Sequence, residues 1–233
     1  MTSHATDSGT QLIAGEVPLA AVMDRLCRDR PVFHSEADLQ HAFARTLWEL
    51  APHLHSRLEV RQRASDRIEH LDLLCIGPTG RTAVEFKHCT RAWNGVASDG
   101  TREEEYALKS HAAIDLARLG FITDITRLER FCRRPDQNGL VLLVTNVPAL
   151  WTAPSPTAKP SRDRMFRLHQ GHTLTGTLLW GAPDRPHEKN TRTLHGSYAV
   201  RWQDYSRQEG AGGEFRYLAT FVDPQPSSTQ NNA

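Results

Sequence analysis

The chain has 233 residues, of which 39% are apolar and 24% charged, with 28 basic against 27 acidic side chains. That length supports one full-sized core and an appended subdomain, but not two large domains. The near-neutral balance excludes a strongly basic nucleic-acid coat while leaving a local basic face open, and no apolar run approaches the roughly 18 residues of a membrane span.

The opening MTSHATDSGTQ has neither a basic nor an apolar leader region, and residues 1–15 read as a disordered tail. Leu19, Val22, Met23, Leu26 and Cys27 recur at helical spacing, which predicts a helix over 17–30, stopped by Pro31. Ser35, with Asp38 three residues on, opens a second helix reaching about residue 50. Ala42, Phe43, Leu47 and Trp48 form its apolar stripe, and Glu36 sits near its start. Strands follow at 58–63, 67–76 and 81–88, joined by a turn at 64–66 and by GPTG at 77–80. Residues 89–103 read as a polar loop, and 103–131 as a helix broken near Gly120. GLVLLVTNV (139–147) is a continuous apolar run, the mark of a strand buried on both faces.

The Pro/Ser/Thr-rich stretch 152–164 reads as a linker. Beyond it, 165–223 is expected to be a β-rich C-terminal elaboration and 224–233 a disordered tail. The core is therefore expected over 16–151, as an α/β fold with a mixed central sheet flanked by helices. Cys27, Cys75, Cys89 and Cys132 show no CxxC spacing, so reduced thiols in a cytoplasmic protein are expected.

Only Lys87, Lys109, Lys159 and Lys189 are lysines, so a lysine inside a core strand needs a reason. Pairing Ile76 with Arg81 across GPTG sets Leu73 opposite Val84, Asp72 opposite Glu85 and His70 opposite Lys87. Strand alternation then collects Leu71, Leu73, Cys75, Val84 and Phe86 on a core face. The other face holds His70, Asp72, Glu85 and Lys87. Two carboxylates with Cβ atoms ~5 Å apart repel unless positive charge intervenes. Lys87 is one neutraliser; a hard divalent cation such as Mg²⁺ is the other. Such an ion stabilises phosphoryl charge and acidifies a bound water. Lys87 would orient that water, or take its proton were burial to depress the lysine pKa.

Asp72 at the end of one strand, followed by Glu85-Phe86-Lys87 on the next, resembles the PD-(D/E)XK nuclease superfamily, the restriction-endonuclease-like enzymes. Glu36 is similar to that superfamily's additional helical carboxylate. The resemblance spans residues 33–148. Leu71 stands where the superfamily's name has proline, and His88 follows Lys87 where some branches have glutamine, so no branch is assigned.

The resemblance implies a metal-dependent phosphodiesterase acting on nucleic acid, first of all a DNA endonuclease. In it Asp72, Glu85 and the backbone carbonyl of Phe86 hold Mg²⁺ (or Mn²⁺), Lys87 positions the attacking water, and Glu36 binds through water or holds a second ion. DNA is expected ahead of RNA, no membrane partner is expected, and a homodimer is left open. His70 is a candidate phosphate contact. Tyr106, Lys109 and Arg118 share a helix expected to border the cleft, with Lys109 a second phosphate candidate. Three readings compete: a catalytically silent nucleic-acid-binding or interaction module on the same fold, a structural protein held by the ion pair, and a solvated, salt-bridged face on an edge hairpin. The pairs His53/His55 and His169/His172 have metal-like spacings but no third ligand nearby.

Overall fold

A computed structural model describes residues 11–64, 67–111, 113–182 and 184–224; the expected turn at 65–66 and most of both tails lie outside them. Leu12–Ile13 (β1) pairs antiparallel with Val17–Pro18 (β2). Ile13 and Ala14 are fully buried in the core that also takes the first helix, so the expected disordered tail does not extend to 15. Leu19–Asp29 (α1) buries Leu19, Val22, Met23 and Leu26 at helical spacing. Glu36–Leu50 (α2) is capped by Ser35 Oγ, which accepts from Asp38 N at 3.2 Å. This helix buries Leu39, Phe43 and Leu47, whereas Trp48, expected on the stripe, is 59% exposed.

His55–Ala64 (β3), Arg67–Ile76 (β4) and Arg81–Cys89 (β5) form an antiparallel meander. The register of β4 on β5, from Leu73–Val84 to Ile76–Arg81, is the one GPTG predicts. Beyond Leu73 these two strands part. At the same level the β3–β4 ladder skips Glu59 and Asp72, and Glu59 takes φ +52°. A left-handed residue in a strand kinks it and reorients the pleat. Leu71 accordingly joins the core cluster of Leu74 and Ala83, not that of Leu73 and Cys75 as strict alternation requires.

The expected polar loop and early helix start are replaced by a hairpin, Trp93–Ser98 (β6) with Glu103–Leu108 (β7). Trp93, Ala97, Tyr106 and Leu108 are its buried residues, interleaved with an acidic run that hides the alternation. Ile114–Phe131 (α3) then runs unbroken through Gly120. Burial of Phe121, Ile122, Ile125 and Leu128 outweighs the glycine's cost of about 1 kcal/mol.

Gln137–Thr145 (β8) lies parallel to β5 and is buried on both faces, as its apolar run predicts. Helix α3 sits so close that a Cβ on Gly139 would fall 2.8 Å from Leu128 Cβ. The chain continues through Pro148–Trp151 (α4), Thr173–Leu178 (β9), Gly181–Ala182 (β10), Arg185–Pro186 (β11), Arg192–Ala199 (β12), Trp202–Arg207 (β13) and Glu214–Val222 (β14). Strand β14 pairs antiparallel with β8, giving a six-stranded mixed sheet of order β13-β14-β8-β5-β4-β3. The last two strands therefore complete the central sheet instead of forming an appendage beyond 152–164.

Helices α1 and α2 cover one face, over Leu73, Val84, Phe86, Leu140 and Leu142. Helix α3 covers the other, over Leu74, Ala83, Val141 and Leu143. All four cysteines are free, and Cys75, Cys89 and Cys132 are buried. Among the described residues no helix is long and apolar enough to cross a membrane.

Candidate active site

Where β4 and β5 part, the Phe86 N–H has lost its partner on β4. The Asp72 carboxylate takes that place, accepting from Phe86 N through Oδ2 at 2.8 Å. Glu36, the first residue of α2, accepts from His88 N through Oε2 at 3.0 Å. Both acids are thus pinned to the backbone of β5. Glu85 and Lys87 project from β5 toward α3. Glu85 is fully buried; its Oε2 accepts from Arg127 Nη1 at 3.1 Å, while Oε1 has no hydrogen-bond partner among the described residues. Lys87 Nζ lies 2.8 Å from Asp124 Oδ2 and donates to the Phe86 carbonyl at 2.9 Å. Its stem lies along the helix at Gly120, where a Cβ would stand 3.6 Å from Lys87 Cε. Arg127 also reaches Asp124 Oδ1 at 3.3 Å, the His70 carbonyl, and Glu69 at 3.7 Å; Arg130 holds Glu69 at 3.0 Å.

The carboxylates of Glu36, Glu69, Asp72, Glu85 and Asp124 outnumber the cations of Lys87, Arg127 and Arg130 here. Burial, with Asp124 and Asp72 nearby, pushes the Glu85 carboxyl up to about 9 despite Arg127 and Lys87. Burial also raises Glu36 and Asp124. For Lys87, burial alone would lower the ammonium, but Asp124, Glu36 and Asp72 outweigh it and hold the group above its ordinary value. In the metal-free chain its acidic neighbours therefore favour the charged ammonium, opposite to the depression by burial that the sequence reading allows.

Asp72 and Glu36 are both pinned to the stretch of β5 that carries Glu85, Phe86 and Lys87, so the five predicted residues lie around the parting of β4 and β5. Glu85 lies on an interior strand, which overturns the alternative of a solvated edge hairpin. The other candidates lie elsewhere. His70 is exposed, and the reversed pleat turns it away from α3, so it does not face Lys87. Lys109 sits in the exposed segment after β7, not on a helix, and its carbonyl accepts from Thr90 Oγ1 at 2.7 Å. Tyr106 belongs to the buried face of β7 and donates to Glu104 at 2.7 Å. Arg118 is buried against Asp163. His53 pairs with Glu16 at 2.8 Å, and the rings of His169 and His172 stack at 4.8 Å. Asp124 and Arg127 escaped the sequence reading. Their signal was present: an acid and a base set inside the apolar stripe of Phe121, Ile125 and Leu128.

Among the described residues no three His, Cys, Asp or Glu side chains converge closely enough to hold a metal ion. The donor set nevertheless fits a hard cation, which takes oxygen ligands and keeps several waters. Glu85 Oε1 is unpartnered, and Asp72 and Glu36 each commit one oxygen to a backbone N–H. The Phe86 carbonyl, by contrast, is engaged by Lys87. In this arrangement Lys87 and Arg127 supply the compensating charge. Comparison of the chain with protein-family models, curated proteins and solved structures returned no match.

Proposed function

We propose that the chain is a metal-dependent nuclease with a restriction-endonuclease-like core, hydrolysing DNA phosphodiester bonds as its PD-(D/E)XK-like sequence suggests. One observation carries this reading. Glu85 is a fully buried carboxylate with an unpartnered oxygen, where β4 and β5 part, beside Asp72 and Lys87. Perturbed carboxyls of this kind cluster at functional sites. Asp72 and Glu85 would hold Mg²⁺ or Mn²⁺, with Glu36 acting through water and the Phe86 carbonyl joining once Lys87 releases it. When bound, such an ion stabilises phosphoryl charge and acidifies water.

The chain's own residues have separable tasks. Ionising Glu85 at neutral pH costs about 3 kcal/mol with its carboxyl at about 9, so the site favours a ligand carrying positive charge. Lys87, tethered by Asp124, presents a fixed cation to the scissile phosphate and orients water. Arg127 holds Glu85 and Asp124 in place. The test is incubation with mixed nucleic acids, with and without Mn²⁺. Wild type should cleave only with metal, and Lys87→Ala should lose ~10²–10⁴ of the rate while still folding cooperatively above the assay temperature, with a lower midpoint because Asp124 loses its cation. Absence of metal-dependent cleavage, or equal cleavage by Lys87→Ala, defeats the proposal.

The ion pairs favour a second reading. Lys87 is already held by Asp124 and Glu85 by Arg127, as suits a catalytically silent nucleic-acid-binding or interaction module on the same fold. That module would take up no cation through its carboxylates, so a Mn²⁺ titration separates the two.

A further inference from the structure

The end of the sheet that carries Lys87 bears a projecting ribbon. Strand β4 pairs with β5 only from Leu73 to Ile76, whereas it pairs with β3 out to Ala64–Arg67. From Val60–Leu71 onward, β3 and β4 therefore run as a two-stranded ribbon, roughly 15 Å long, that starts beside Asp72. One face is anchored: Val60 and Leu71 pack on the α3 side, and Glu69 is held by Arg127 and Arg130. The other face is free. Arg61 and His70 lie opposite each other on it, both exposed and without an ion pair among the described residues. Ile68, two residues from His70 on the same face, is 50% exposed. Arg57 lies back from the ribbon, opposite Leu74 and so on the α3 side of the sheet; it is exposed and touches only the Ser56 carbonyl.

Charge separates this ribbon from hairpin β6–β7. Residues 60–71 hold Arg61, Arg63 and Arg67 against Asp66 and Glu69, and Glu69 is already paired with Arg127 and Arg130. Hairpin β6–β7 holds Asp99, Glu103, Glu104 and Glu105 against Arg102. A DNA duplex carries one negative charge per ~1.7 Å, so the backbone is drawn to the first and repelled by the second. Its major groove, about 12 Å wide, admits a two-stranded β-ribbon, whereas the deep, narrow groove of duplex RNA does not.

Building on the nuclease reading above, we infer that the β3–β4 ribbon is the arm that grips duplex DNA beside the cut site. Arg61 and His70 contact phosphates, and Ile68 meets base edges such as the thymine methyl.

The test is equilibrium binding of a short DNA duplex to the full chain in EDTA across a salt series. Arg61→Ala should lower the slope of log affinity on log salt by about one, and Arg61→Ala/Ile68→Ala should lower it equally while weakening binding further. Arg61→Lys should keep the wild-type slope, and Glu103→Gln should bind as tightly as wild type or tighter. Thermal melting confirms that each variant is folded. No binding by wild type, an unchanged slope in the double variant, or tighter binding of duplex RNA overturns the inference. Cleavage with Mn²⁺ is scored separately: a chain that binds through the ribbon but cuts nothing sinks the nuclease reading and supports the arm. A chain that cuts, with the double variant binding and cutting like wild type, sinks the arm alone.

Discussion

Helix α3 buries charge at two places less than two turns apart, and they are built on opposite principles. At the first, Arg118 meets Asp163, each side chain about 5% exposed. Arg118 Nη2 donates to the Ala149 carbonyl at 2.6 Å, and Asp163 also accepts from Ser161 Oγ. Burial would raise the Asp163 carboxyl, but Ser161 and Arg118 outweigh it and hold the group below its ordinary value. At the second, around Lys87 and Asp124, acids exceed bases and Glu85 is driven up to about 9. Burial is common to both; the direction of the shift is not. A carboxyl pulled down by its partners is part of the frame, and one pushed up among other acids is waiting for a counter-charge.

Cleavage should show the contrast most strongly. Lys87→Arg keeps the charge but replaces a compact ammonium by a planar fork, and should lose ~10²–10⁴ in rate, as Lys87→Ala does. Cleavage retained by either would make the two centres alike. Stability should respond in the opposite sense. Asp163→Ala leaves Arg118 buried without its acid and should cost about 3–5 kcal/mol in urea unfolding; a loss below about 1 kcal/mol would remove the structural role.

Smaller effects sharpen the same difference. In metal-free buffer Glu85→Gln, and Asp72→Asn with its acceptor for Phe86 N kept, should hold or raise the melting temperature by a few degrees. A fall of several degrees would mean that these acids are frame, like Asp163. A protease of broad specificity should nick first in the exposed run 152–160. The two pieces should remain together on gel filtration, because β14 is zipped to β8; their separation would contradict the shared sheet.

Much of this architecture was legible because it is local. The cap of α2, the GPTG register and the two-sided burial of β8 each follow from a few adjacent residues. So did the grouping of Asp72, Glu85 and Lys87. Other features were hidden for physical reasons. The acidic run in β7 masks the alternation of Tyr106 and Leu108. The pairing of β14 with β8 joins residues far apart in the chain, from Arg216–Thr145 to Val222–Gly139, which no local pattern encodes. Glu59 adopts a left-handed φ that its residue type does not announce, and so misplaced Leu71 and His70. Asp124 and Arg127 were readable as charges inside an apolar stripe, a pattern that points to a buried ion pair.

The most direct measurement is calorimetric titration of Mn²⁺ into metal-free protein, comparing wild type with Glu85→Ala, Asp72→Ala and Lys87→Ala. Wild type and Lys87→Ala are expected to bind the ion, and the two carboxylate variants to lose it. Binding that survives in Glu85→Ala, or that is absent from wild type, would contradict a metal site at the parting of β4 and β5.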